Sequence, residues 1–178
     1  MSLIRYNNRP FLPRVPALDT ESRGHPHLQS TPGTYALILS AAADELLQIG
    51  RLGQLHVRAG FYVCAGSAFG PGGIRARLAH HCRPAARPHW HIDYLRVVAH
   101  LTAIWYTYDT LRREHQWAAV LQRICGASIP LQRFGASDCT CASHLYFLHT
   151  RPSWNAFRSG IRNACRDHLP VHCQRLEP

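Results

Sequence analysis

A single α+β domain is the fold class this sequence predicts, and three observations point to it. The 178 residues suffice for one hydrophobic core and fall short of two. Strand-like runs rich in β-branched and aromatic residues recur along the chain, as TYALIL, FYVCAG, TAIWYTY and HLYFLH. Helical stretches are fewer, with LRREHQWAAVLQRI the best of them. Hydrophobic residues make up 46%, a globular composition rather than a disordered one. No run approaches the ~18 consecutive apolar residues of a membrane helix, and MSLIRYNNRPFLPRVP lacks the apolar centre of a secretory signal. No membrane partner is expected.

Taken in order, residues 1–31 carry Pro10, Pro13, Pro16 and Pro26 and read as a flexible or loosely docked arm. The domain is expected over 32–150. Thr34 to Leu39 is a buried-strand run, and Leu46–Gly50 and Phe61–Gly66 are two further strands, separated by a loop with Gly50, Gly53 and Gly60. The glycine-rich turn SAFGPGG leads into a helix from Ile74 to Cys82, where Ile74 and Leu78 share a face. Arg83 to Pro88 is a basic breaker, and HWHIDYL starts a short helix. Thr102–Tyr108 is a strand, Leu111–Ile124 a helix, Cys125–Cys141 a loop and His144–His149 the last strand. Residues 151–178 form a basic, Pro-interrupted appendage with no structure assigned.

Charge narrows the partners. Twenty basic residues face ten acidic ones, for a net charge of +10, and all twenty are Arg. Arg is shaped for bidentate contact with phosphate, so DNA, or RNA, is the natural partner. GC-rich coding accounts for the missing Lys, and less well for the twofold excess. Seven Cys, an odd number, without a secretory signal fit reduced thiols in a cytoplasm rather than a disulfide framework.

Few residues are placed for chemistry. Arg77 and His81 are spaced i, i+4 and share a helix face. In the long helix, Leu111, Glu114, Ala118 and Leu121 form an inward stripe. A carboxylate there is costly unless it is paired or metal-bound. From spacing alone Glu114 reads as a metal ligand, a partner of Arg113 or Arg77, or a solvated carboxylate at the helix start. The turn from Gly66 to Gly73 would cradle a phosphate at the next helix, but no Gly-Lys-Ser/Thr follows, so it is no P-loop. Arg75, Arg83 and Arg87, with Arg96, Arg112 and Arg113, make a basic groove if they share one face. His91 would contact substrate phosphate, or Asp93 would orient a His. In Asp138-Cys139-x-Cys141-x-x-His144, Cys139, Cys141 and His144 would hold Zn²⁺ with a fourth ligand from His89, His91 or Cys82.

Gly33-Thr34-Tyr35, Cys64-Ala65-Gly66-Ser67, and Arg77 with His81 on a helix resemble the GIY-YIG nuclease superfamily. The longer strings GTYALIL, FYVCAGSAFGPGGIRARLAHH, HWHIDYL and FGASDCTCASHLYF resemble its branch known as domain of unknown function 123, over Pro32 to Leu148. That branch is sometimes joined to endonuclease III-type repair glycosylases, which implies such a glycosylase as a partner. The resemblance implies a small three-stranded antiparallel sheet flanked by helices and metal-dependent cleavage of a DNA phosphodiester. By the same resemblance, Tyr35 would receive or relay a proton from the attacking water. Arg77 would stabilise charge on the phosphate, and His81 would be a second polar group beside it. Glu114 would hold Mg²⁺ or Mn²⁺, with water and phosphate completing the shell. Gly66, Ser67, Arg75, Arg83, Arg87 and His91 would bind DNA. Cys64 stands where the resemblance calls for a second tyrosine, and Tyr62 lies on the same strand face about 7 Å away.

Two functions follow as expectations. The first is a GIY-YIG-like, metal-dependent DNA endonuclease of DNA processing or repair. The alternative is a non-catalytic nucleic-acid-binding or adaptor module on the same fold, stabilised by zinc.

Overall fold

The computed structural model describes residues 28–83 and 87–176. Its elements are β1 (Thr34–Ala41), β2 (Glu45–Ile49), β3 (Gly53–Val57), β4 (Gly60–Ser67), α1 (Gly73–His81), α2 (His91–Leu95), β5 (Ala99–Thr107), α3 (Glu114–Gln122), β6 (Leu145–Leu148), α4 (Trp154–Ala164) and β7 (His172–Arg175). Five strands form one antiparallel sheet in the order β6-β4-β1-β5-β7, and β2 and β3 form a separate hairpin.

The continuous apolar run of β1 has a direct cause, because both faces of its sheet are covered. Side chains alternate across a strand. Tyr35, Leu37 and Leu39 enter a core with Ile74 and Leu78 of α1, Leu95 of α2, and Leu55 and Val57 of β3. Ala36 and Ile38 enter the opposite core with Trp117 and Leu121 of α3 and Phe157 and Ile161 of α4. There Trp105 of β5 stacks on Phe157 at 4.6 Å between ring centres. Large aromatics of this kind dominate the burial of a small core.

Three expectations are corrected. The Gly50–Gly60 segment is not all loop: Leu55 and Val57 alternate inward and make β3, with Gly50 in the turn at φ 47°. The sheet has five strands, not three. Residues after Arg151 are not an appendage: α4 covers one face of the sheet, and β7 pairs with β5 as an edge strand. The run after Pro152 hides a helix because its buried residues are sparse, only Phe157 and Ile161. Residues 1–27 of the expected arm, and Pro84–Ala86 of the basic breaker, lie outside the described residues. The last residues of the expected arm are docked: the carbonyls of Gln29 and Thr31 accept from the amides of Arg75 and Ile74. Among the described residues no helix is long and apolar enough to cross a membrane.

The helix starts position the chemistry. Arg113 is 4% exposed, and its amide donates to Thr34 Oγ1 at 3.1 Å. Its guanidinium is clamped between Asp109 (2.8 Å) and Asp167 (2.9 Å). These contacts tie the first turn of α3 to the beginning of β1. Leu111 precedes α3 and is exposed, so the inward stripe lacks its first member.

Candidate active site

Tyr35 and Gly66 face each other across β1 and β4, at the end of the sheet where α1 begins. A cleft of about 390 Å³ opens there, walled by α1, the entry to α2, the first turn of α3 and the loop before β6. Tyr35, Arg77, His81 and Glu114 all line it, from three elements, β1, α1 and α3. Gly66, Ser67 and His91 line it as well. Arg75, Arg83 and Arg87, expected beside them on nucleic acid, are exposed and lie outside the cleft lining.

The cross-strand pair explains why the second motif carries glycine. A Cβ at Gly66 would lie 2.7 Å from both Cζ and Oη of Tyr35, so the ring occupies the space a side chain would need. The ring is fixed at its far end by a 2.8 Å hydrogen bond between its hydroxyl and His81 Nε2. Gly66→Ala is expected to displace the ring, break that bond and cost about 1–3 kcal/mol in urea unfolding. In a Tyr35→Ala background the same change should cost far less; an equal cost in both backgrounds would refute the packing argument.

Burial sets the protonation of the pair. Tyr35 is pushed well above the ordinary tyrosine range by desolvation, against the pull of the Arg77 guanidinium. His81 is pulled down to about 3, by desolvation first and then by the charges of Arg96 and His80. Both groups are therefore neutral near pH 7, and His81 Nδ1 is buried without a partner among the described residues. Arg77 lies over the Trp90 ring at 4.2 Å, a cation–π contact that holds its guanidinium at the cleft wall.

Glu114 is the one carboxylate on the α3 wall. Its side chain is 12% exposed, its one ion pair among the described residues is a 4.0 Å approach to Arg112, and its Oε2 is buried with no hydrogen bond among them. Arg113, a candidate partner by sequence, is committed to Asp109 and Asp167. A buried carboxylate oxygen left unpaired is costly and calls for an explanation. A hard carboxylate in the lining of the cleft suits Mg²⁺ or Mn²⁺, which bind one or two carboxylates and keep several waters.

Neighbouring groups have other duties. Asp93 Oδ2 accepts from the amides of His89 and Trp90, both at 3.0 Å, closing the start of α2. Burial opposes its ionisation, but these amides and the adjacent imidazoles outweigh it and hold the carboxyl below the usual range. His91 Nδ1 accepts from the Gly135 amide at 3.1 Å, so at neutral charge its proton sits on Nε2. The Cys64 thiol is pushed up to about 12 by burial, which removes it as a nucleophile near neutral pH. Tyr62 does not take its place: its hydroxyl is bonded to the Arg58 backbone, outside the cleft lining.

Beside the cleft, Cys139, Cys141 and His144 converge as the Cys-x-Cys spacing suggested. The fourth group is His115 of α3, not His89, His91 or Cys82. His115 carried no spacing signal, because it lies 24 residues before Cys139 and only the docking of α3 brings it there.

Fold and cleft together define a small antiparallel-sheet domain with a titratable, arginine-bearing pocket at one sheet end. The chain belongs to the family described as domain of unknown function DUF123, whose model matches residues 34–166. The match runs from the first residue of β1 to two residues past α4, beyond the domain boundary expected at residue 150. No curated protein and no solved structure matches the chain.

Proposed function

We propose that this protein is a metal-dependent nuclease of GIY-YIG type that hydrolyses DNA phosphodiesters in the cytoplasm, in DNA processing or repair. The observation that carries the reading is the buried Oε2 of Glu114, without a partner among the described residues, on a side chain that lines the same cleft as the Tyr35–His81 pair and Arg77. Glu114 would hold the Mg²⁺ or Mn²⁺, which when bound supplies Lewis-acid stabilisation of phosphate charge. Arg77 contributes a fixed positive charge aimed at the phosphate. Tyr35 and His81 handle the proton. The phenol oxygen takes a proton from the attacking water and passes its own to His81 Nε2, already within hydrogen-bond reach. An imidazole held at about 3 is a poor base in the empty cleft. The negative charge of an entering phosphate raises its proton affinity, so the relay operates only with substrate bound. A repair glycosylase is the partner that the family resemblance suggests.

A second reading is favoured by one observation. Cys64 occupies the second-tyrosine position as a buried thiol that stays protonated, which fits a nucleic-acid-binding module without catalysis. The two readings separate on end-labelled duplex, nicked, flap and branched DNAs incubated with Mg²⁺ or Mn²⁺. Cleavage by the wild-type chain, lost in Arg77→Ala and reduced in Tyr35→Phe, is the expected result. Salt-sensitive binding without cleavage on every substrate would leave only the binding module.

A further inference from the structure

We infer that His115, Cys139, Cys141 and His144 form a four-ligand zinc site that ties the first turn of α3 to the loop preceding β6. One donor atom from each residue lies within 4.8 Å of the other three. His115 Nδ1 is 3.3 Å from Cys141 Sγ, and His144 Nε2 is 3.5 Å from Cys139 Sγ. Around a tetrahedral zinc with bonds of about 2.3 Å to sulfur and 2.0–2.1 Å to nitrogen, the nitrogen–sulfur edges measure about 3.5 Å. Both distances are those of ligands sharing one ion. Thiols are weak hydrogen-bond donors, so two independent thiol–imidazole pairs in one spot gain little without a metal. Two thiolates balance a divalent charge, and sulfur with imidazole selects zinc over the hard cations suited to Glu114.

The loop is shaped in advance of binding. The Arg133 amide donates to the Ala142 carbonyl at 2.6 Å and the His144 amide to the Phe134 carbonyl at 2.8 Å, closing residues 133–144 on themselves. Arg133 takes a left-handed backbone at φ 63°, rare for a residue with a side chain. Its guanidinium donates to the carbonyls of both Cys139 and Cys141, which fixes the backbone that carries the two free thiols. The site borders the cleft, which His144 also lines, but Glu114 is not among its donors.

The test uses the full chain, tag-free and reduced. Metal analysis should find about one zinc per chain. Replacement by Co²⁺ should give the visible bands of a tetrahedral ion and a thiolate-to-metal charge-transfer band. Chelation should lower Tm. Cys139→Ser and Cys141→Ser should lose the charge-transfer band stepwise. His115 is exposed, so His115→Ala should keep the wild-type circular dichroism while zinc affinity falls by roughly 100-fold or more. Glu114→Gln should retain the zinc. A zinc-free chain whose Co²⁺ form lacks charge transfer overturns the site. So does undiminished zinc affinity in His115→Ala or in both serine variants, and so does zinc loss in Glu114→Gln.

Discussion

Glu114→Gln should lower divalent-dependent cleavage by roughly 10³-fold, the scale of losing a metal's stabilisation of charge, and leave the metal-free protein as stable as wild type or more so. Gln has nearly the shape of Glu, so the walls of the cleft do not move. What it lacks is the charge that holds the cation. In the absence of that cation the charge is a burden, because Oε2 is buried and finds no donor among the described residues, and the carboxylate's ion pair is a 4.0 Å approach to an exposed Arg112. Removing an unpaired buried charge relieves a desolvation cost, a local sacrifice of stability for activity. Cleavage rates and urea unfolding in EDTA measure the two effects. Mg²⁺ should raise the Tm of wild type by mass action and leave that of the variant unchanged. Wild-type cleavage by Glu114→Gln, or a stability loss above about 1 kcal/mol in EDTA, would make Glu114 a structural residue.

Acidification should unfold the protein through His81. The imidazole has a folded value of about 3 against 6.5 when unperturbed. Between these two values the unfolded chain binds a proton that the folded chain refuses, so stability falls as pH drops through that window. At about 1.4 kcal/mol per pH unit, the loss from pH 6.5 to 4.5 is about 3 kcal/mol, a large part of the ~5–15 kcal/mol by which a domain is stable. His91 is also lowered by burial and steepens the same slope. Asp93 and Asp109 are lowered carboxyls, whose contribution disappears only as pH falls through their own, more acidic range. Urea unfolding at pH 7.5 and 4.5 measures the slope, and His81→Gln, which keeps a polar end for Tyr35, should flatten it. An unchanged slope in that variant would assign the acid sensitivity elsewhere.

Much of the cleft was legible locally. Arg77 and His81 could be placed on one face because a helix repeats every 3.6 residues, and Tyr35 and Gly66 sit at strand ends that their motifs mark. Glu114 was found for a partly wrong reason. The stripe that pointed inward began at Leu111, which is exposed and precedes the helix, while Ala118 and Leu121 do turn to the core. The strand β3 was hidden by its flanking glycines, and β7 by a segment, HCQR, that buries only Gln174. An edge strand of that kind is specified by the neighbour whose hydrogen bonds it completes.

Composition and short-range pattern by themselves determined that this is one mixed domain with buried strands and a strong excess of positive charge carried wholly by arginine. They also determined which helix carries Arg77 and His81. Only the tertiary structure decided that the α3 wall meets them, that Arg113 is spent on Asp109 and Asp167 so that Glu114 is left with a 4.0 Å approach to Arg112, and that His115 completes the Cys139, Cys141 and His144 cluster. Periodicity reports which side of its own element a residue faces. Which two elements meet is settled by the packing of both sheet faces at once, over separations that no local repeat records.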